Sequence, residues 1–341
     1  MNYATIHATP PPTSSPDLRA EFGALTSGCG VFELSTRTKL SLSGKDRVRW
    51  LNGMITNKVR DLPEGQGIYA FVLNPQGHIL ADLYAYNRGE WLLVDTDQSQ
   101  IEKLQAIFRK YIIMDKVEIA DLSDKLTAIG VAGPKACEAL RTAGFEFQNL
   151  EPLRFVDVTW RDAPLTIARG DSPAPDSYEI WLAPEQVAFV REELTSAGAV
   201  PVGLAAVELL RIASGIPRYG QDIGERDLPQ ETEQLRALNF NKGCYIGQEI
   251  VERIRSRGAV HRRFSGFEVA GSLPAPGTKI QSEGKDVGEV TSAVSLPLES
   301  GNRPVALGYI RRELANPGQR LQAGDAELIV TSVPFAGIFQ K

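Results

Sequence analysis

Apolar positions recur along this chain with two periods, and the period switches at punctuated places. Thr38, Leu40 and Leu42 alternate with polar residues in the two-residue repeat of a strand. Gly44-Lys45-Asp46 interrupts it, and a helical run follows, ending at Leu51-Asn52-Gly53. A meander is predicted next: Ile68 to Leu73, the turn Asn74-Pro75-Gln76-Gly77, Ile79 to Tyr86, the turn Asn87-Arg88-Gly89, then Trp91 to Val94. Asp97 stands at an N-cap position ahead of Ile101, Leu104, Phe108 and Tyr111, which share one helical face. Val117 to Leu122 closes the unit as a strand.

The same order then starts again. Leu126 to Val131 reads as a strand, and Gly133-Pro134-Lys135 opens a helix that ends at Gly144. Strands are predicted at Phe155 to Trp160, Leu165 to Arg169 and Tyr178 to Leu182, with a helix from Pro184 to Ala197. The plan is that of a ferredoxin-like βαββαβ unit used twice. Beyond about Phe264 short β-rich stretches (Phe267 to Val269, Val287 to Thr291, Val305 to Ile310, Ala326 to Thr331) alternate with Gly and Pro, the texture of a small β-barrel. The expected fold is α+β, with a disordered tail over 1–20, two interleaved ferredoxin-like lobes over 21–264 and a C-terminal β-barrel over 265–341.

Composition narrows the class without naming a function. The 341 residues are 43% hydrophobic and 23% charged, ordinary for a globular chain with a sizeable core. A net charge of −5 argues against a uniformly basic surface for nucleic acid or anionic membrane. The 3 cysteines (Cys29, Cys137, Cys244) and 3 histidines lack the short ligand spacing of a zinc or chain-held iron–sulfur site, so no metal is expected. No apolar stretch is long enough to span a bilayer, and the N-terminal residues lack the basic and apolar regions of a signal peptide. A soluble, cytoplasmic monomer is expected.

Chemistry concentrates in Lys242-Gly243-Cys244-Tyr245-Ile246-Gly247-Gln248-Glu249. Ile246, Ile250, Val251 and Ile254 make one apolar helical face, and Gly258 suits the residue after the helix. Cys244 therefore falls in a glycine-flanked loop just before a helix start, with Lys242 two residues back. A cation and a helix N-terminus both lower a thiol pKa, which predicts a reactive thiolate. The alternative is a buried cysteine acting as a small hydrophobe. The residues alone leave both open.

The run from Lys242 to Glu249, with Asp227-Leu228-Pro229-Gln230-Glu231 before it and Arg257-Gly258-Ala259 after it, resembles the YgfZ family. These are folate-binding relatives of the glycine-cleavage T-protein and include mitochondrial iron–sulfur assembly factors. Gly44-Lys45-Asp46, Asn74-Pro75-Gln76-Gly77, Ile212-Ala213-Ser214-Gly215 and Gly288-Glu289-Val290 fall where the family's landmarks are expected. The resemblance implies a three-lobed ring that binds tetrahydrofolate, with Lys242 and Cys244 as the functional pair. It implies an accessory factor in iron–sulfur cluster assembly or maintenance, supporting iron–sulfur enzymes that include tRNA-modifying ones. T-proteins carry paired aspartates where Ala81-Asp82 stands here; if the lost member is the catalytic one, aminomethyl transfer has no general acid/base. Ala213 replaces a glutamate that contacts the pterin in relatives, which predicts weakened folate binding.

Asp82 and Tyr84 lie on one strand face and, with Tyr69 as a stacking surface, are the expected folate contacts. Arg253, Arg255, Arg257, Arg262 and Arg263 form a basic run, read either as solvated charge near a helix C-terminus or as an anion-binding rim. Arg253 and Arg257 are its candidate cofactor contacts. Two further functions stay open: a folate-dependent aminomethyltransferase, and an RNA-binding module using the arginines. Expected partners are folate and iron–sulfur proteins or their assembly machinery, with RNA optional.

Overall fold

The computed structural model describes residues 16–258 and 260–339. The first lobe contains β2 (Arg37–Ser43), α2 (Arg47–Met54), β3 (Gln66–Leu73), β4 (Ile79–Asn87), β5 (Leu92–Asp97), α3 (Ile101–Tyr111) and β6 (Glu118–Asp121), preceded by α1 (Pro16–Ser27) and β1 (Gly30–Glu33). The second contains β7 (Thr127–Ala132), α4 (Ala136–Thr142), β8 (Phe155–Trp160), β9 (Ala163–Arg169), β10 (Ser177–Leu182), α5 (Val187–Ser196) and β11 (Val200–Pro201). After α6 (Leu204–Ala213) and α7 (Gln248–Arg257) come β12 (Arg262–Ala270), β13 (Lys279–Ser282), β14 (Lys285–Leu298), β15 (Gly301–Arg311), β16 (Arg320–Ala323) and β17 (Ala326–Thr331).

The repeat is visible in the sheet orders. One sheet runs β3-β4-β5-β2-β6 and the other β8-β9-β10-β7-β1-β11. Strand for strand the second lobe copies the first, except that β1 is inserted between β7 and β11. It runs antiparallel to β7 and parallel to β11. The strand that precedes the first lobe thus completes the second, so the two lobes interleave.

Period decides what each face meets. On β4, Ile79, Ala81, Leu83 and Ala85 are buried while Leu80, Asp82 and Tyr84 are half-buried on the other face. Ala81, Leu83 and Ala85 pack under α2 and α3 with Leu40, Leu51, Leu104 and Phe108, while Ile79 joins Phe71 and Leu73 in a separate cluster. The second lobe repeats this with Ile129, Val131, Leu140, Ile167 and Leu194. The remaining faces of the two sheets meet through Tyr86, Leu93, Phe155 and Trp181. Beside Trp181 lies a buried ion cluster, in which Lys39 Nζ and Arg37 Nε donate to Asp95 at 2.8 and 2.7 Å.

Two expectations change. Residues 16–20, read as tail from their Pro/Ser/Thr neighbours, belong to α1, whose Leu18, Phe22 and Leu25 are buried against α6 and the barrel. Their spacing of i, i+4, i+7 is helical, and burial of that face sets the element despite the Pro/Ser/Thr content before it. Residues 1–15 of that tail lie outside the described residues. The barrel closes in the order β12-β15-β14-β13-β16-β17, which adds the short β13 and β16 to the four expected strands. Its first strand begins at Arg262, slightly ahead of 265. Asp222 ties it to the lobes, accepting from Arg211 at 2.7 Å and from the barrel's Ser292 at 2.7 Å. Among the described residues no helix is long and apolar enough to cross a membrane.

Candidate functional site

The pairing of β3 with β4 sets Tyr69 opposite Tyr84, with ring centroids 5.0 Å apart. Tyr69 Oη donates to Asp82 Oδ2 at 2.7 Å, so the three expected contacts meet in one place. Burial, reinforced by the Asp82 charge, pushes the Tyr69 phenol well above its ordinary value, which keeps it a proton donor to Asp82. Gln100, which precedes α3, completes the carboxylate shell. Its Nε2 donates to Asp82 Oδ1 at 2.7 Å while its Oε1 accepts from Asp82 N at 3.0 Å. Ala81 faces the other way, fully buried in the apolar cluster of the first lobe. The residue that departs from the T-protein pair is therefore a core position here, and the carboxylate facing the junction is retained.

Two residues not anticipated from the sequence join the cluster. Tyr84 Oη donates to Asp171 Oδ1 at 3.1 Å, from the loop after β9 of the second lobe. Arg236, in a short 3-10 turn at Leu235–Ala237, forms an ion pair with Asp171 and places its guanidinium 4.3 Å from the Tyr69 ring centroid. No local motif marks either residue, since the chain separations are large and each looks like an ordinary surface charge.

Lys242 is where the structure departs most from the sequence reading. Its side chain turns inward and donates to the carbonyls of Asn52, Ile55 and Asn57 at 2.6, 2.6 and 2.7 Å. Asn52 and Ile55 end α2, whose last carbonyls lack helical partners, so the ammonium caps that terminus. All three donors are committed, and the expected support for a Cys244 thiolate is not available from Lys242. Burial without a carboxylate partner pulls the lysine down to about 7. The anchor reaches further. Asn57 Nδ2 donates to the carbonyls of Tyr69 and Arg236, both at 2.9 Å, so the Lys242 cap fixes the turn that holds two residues of the junction.

Cys244 itself is exposed, three residues ahead of the αL residue Gly247 that starts α7. That glycine is required by contact as well as conformation. With φ +83°, a Cβ there would meet Asn74 O at 2.7 Å, because the loop sits on the 74–77 turn. Tyr245 points into a cluster with Phe71, Ile79 and Val251.

The basic run disperses. Arg262 pairs with Asp227 and Glu231 at 2.6 and 2.9 Å, and Arg263 with Glu233 at 2.9 Å. Arg255 lies over Phe240 and lines a cavity of about 340 Å³ with Arg263 and Arg312. Arg253 is exposed on α7, and the Arg257 side chain lies outside what is described. Arg253 is not among the described contacts of the Tyr69–Asp82 cluster. Ala213 is fully buried with Phe22 and Phe335, its carbonyl accepting from Phe335 N at 3.0 Å, in a different cluster from Tyr69.

Comparison with known proteins agrees with this architecture. The chain is 30% identical to an aminomethyltransferase of Nostoc sp., covering 91% of this chain and 84% of the relative. It is also 30% identical to the aminomethyltransferase of Thermus thermophilus, covering 87% and 83%. The glycine cleavage system aminomethyltransferase T of Bartonella henselae superposes with a TM-score of 0.85 at 23% identity, over 96% of this chain and 92% of that one. Residues 3–242 match the GCVT N-terminal domain and residues 262–332 the glycine cleavage T-protein C-terminal barrel domain. With both domains in order and two interleaved ferredoxin-like lobes ahead of a closed barrel, the chain belongs to the glycine cleavage T-protein family.

Proposed function

We propose that the junction binds a reduced folate and serves one-carbon transfer of the aminomethyltransferase type. The observation that carries this reading is the Asp82 carboxylate, oriented by Tyr69 and Gln100 at 2.7 Å each on the strand face opposite the core. Paired tyrosine rings suit a planar heterocycle, and a carboxylate beside them suits its N–H groups. The residues present thus fit a pterin. A bound tetrahydrofolate would supply the nitrogen that accepts the one-carbon unit. Asp82 Oδ2 holds or takes the proton, Gln100 prevents the carboxylate from rotating away, and Tyr69 stabilises its charge. In Asp82→Asn, transfer from an amine-bearing donor to tetrahydrofolate at saturating folate should fall by about 10²-fold or more. Full turnover in the variant overturns the assignment.

A second reading, as an accessory factor for iron–sulfur enzymes of the YgfZ kind, is favoured by the exposed Cys244 thiol on a loop anchored by Lys242. Here the folate would be a structural or regulatory ligand. The readings separate on purified protein: measurable one-carbon transfer supports the first. Its absence, with loss of several iron–sulfur enzyme activities in a strain carrying Cys244→Ser, supports the second.

A further inference from the structure

Arg236 covers the surface that an aromatic ligand would use. Its guanidinium lies over the Tyr69 ring at 4.3 Å, and its ion pair ties the turn at Leu235–Ala237 to Asp171 of the second lobe. The main chain beneath it is fixed, since Asn57 holds the Arg236 carbonyl at 2.9 Å. The long side chain above is held through other side chains, Asp171, Tyr84 and Gln234. Nε donates to Gln234 Oε1 at 3.1 Å, and about a third of the side chain (31%) is exposed. Asp171 keeps a second partner, the Tyr84 hydroxyl at 3.1 Å, and so is not stranded if the arginine leaves.

These contacts describe an exchangeable pair. A flat ring can stack on Tyr69 only when the guanidinium moves off it, and a guanidinium that leaves Asp171 needs another carboxylate. A folate carries both features in one molecule, a planar pterin and a glutamyl carboxylate. We infer that Arg236 is the specificity residue of the junction, exchanging Asp171 for the glutamyl carboxylate of the folate as the pterin takes its place over Tyr69. This rests on the folate reading of the site. It adds that the free protein discriminates against pterins lacking a carboxylate, because for them opening the Arg236–Asp171 pair is not repaid by a new one.

The test uses the full chain and two probes, 5-formyltetrahydrofolate and 6-methyltetrahydropterin, the second having the ring without carboxylates. Dissociation constants are measured by calorimetry for wild type, Arg236→Gln and Asp171→Asn, with a thermal melt of each. In Arg236→Gln the folate should bind at least tenfold more weakly while the pterin binds equally well or several-fold more tightly. In Asp171→Asn, where the arginine is released beforehand, both probes should bind more tightly. Arg236→Lys, which keeps the charge without the planar fork, should fall between wild type and Arg236→Gln for the folate. In Arg236→Gln, parallel changes for both probes, or none, would overturn the specificity role and leave the folate site standing. Failure of 5-formyltetrahydrofolate to bind wild type at millimolar concentration would overturn the folate reading itself.

Discussion

Replacing Lys242 with methionine isolates the anchor beneath the signature loop. Methionine keeps the length and the apolar stem but removes three hydrogen bonds from a buried ammonium. Bonds from a charged donor are worth about 1.5–3 kcal/mol each, so their loss approaches or exceeds 5 kcal/mol. Against this stands the desolvation of the charge, which lowers the lysine from 10.5 to about 7. At about 1.4 kcal/mol per pH unit that is roughly 5 kcal/mol. The lowered pKa makes the charged form the less favourable one in the fold, so near pH 6 the variant should be destabilised less than at pH 9. The sign with pH is definite. Between about 7 and 10.5 the unfolded lysine holds a proton that the folded one has lost, so this residue makes stability rise with pH across that window. From pH 7 to 9 the gap between wild type and Lys242→Met should therefore widen by up to about 2–3 kcal/mol. Denaturant melts of both proteins at pH 6, 7 and 9 measure it, since every other titrating group is common to the pair. The variant should also bind folate more weakly, because Asn57 no longer holds Tyr69 and Arg236 in place. A gap that is constant with pH, together with unchanged folate affinity, would refute the anchor.

Asp95→Asn should destabilise by about 3–5 kcal/mol, because it strands the fully buried Lys39 beside Arg37. Neighbouring positive charge holds the Asp95 carboxyl below its ordinary range, so its contribution is present above the ordinary carboxylate pKa and lost as pH falls through the folded value. Acid denaturation of wild type against the variant checks both. Cys244→Ser should melt within about 2 °C of wild type, since the thiol is exposed. A larger drop would show it packed. Site-resolved iodoacetamide labelling of Cys244 at a single pH should proceed at the same rate in Lys242→Met as in wild type, because the lysine side chain is committed to carbonyls. Gly247→Ala should lower stability by at least about 1 kcal/mol, from its positive φ and the 2.7 Å approach to Asn74 O.

Local pattern was enough to predict most of the framework. The alternation over Ile79 to Tyr86 and the three–four spacing from Ile101 to Tyr111 prescribe their elements, because burial on one face is a property of consecutive residues. The two-lobed plan, the barrel and the grouping of Tyr69, Asp82 and Tyr84 follow from such periods and from one hairpin. Side-chain roles that depend on distant partners do not. Lys242 looked like the neighbour of Cys244 because they are two residues apart. The fold instead delivers it to the end of α2, where unpaired carbonyls 185–190 residues away outcompete the thiol. Arg255, Arg262 and Arg263 read as one basic run, yet the fold gives them separate partners in Phe240, Asp227, Glu231 and Glu233. The place of β1 in the second sheet and the Arg236–Asp171 pair were also decided in three dimensions. Sequence by itself determined which faces are apolar. Only the tertiary structure determined which polar groups meet, because charges and carbonyls find partners by proximity in space, at any separation along the chain.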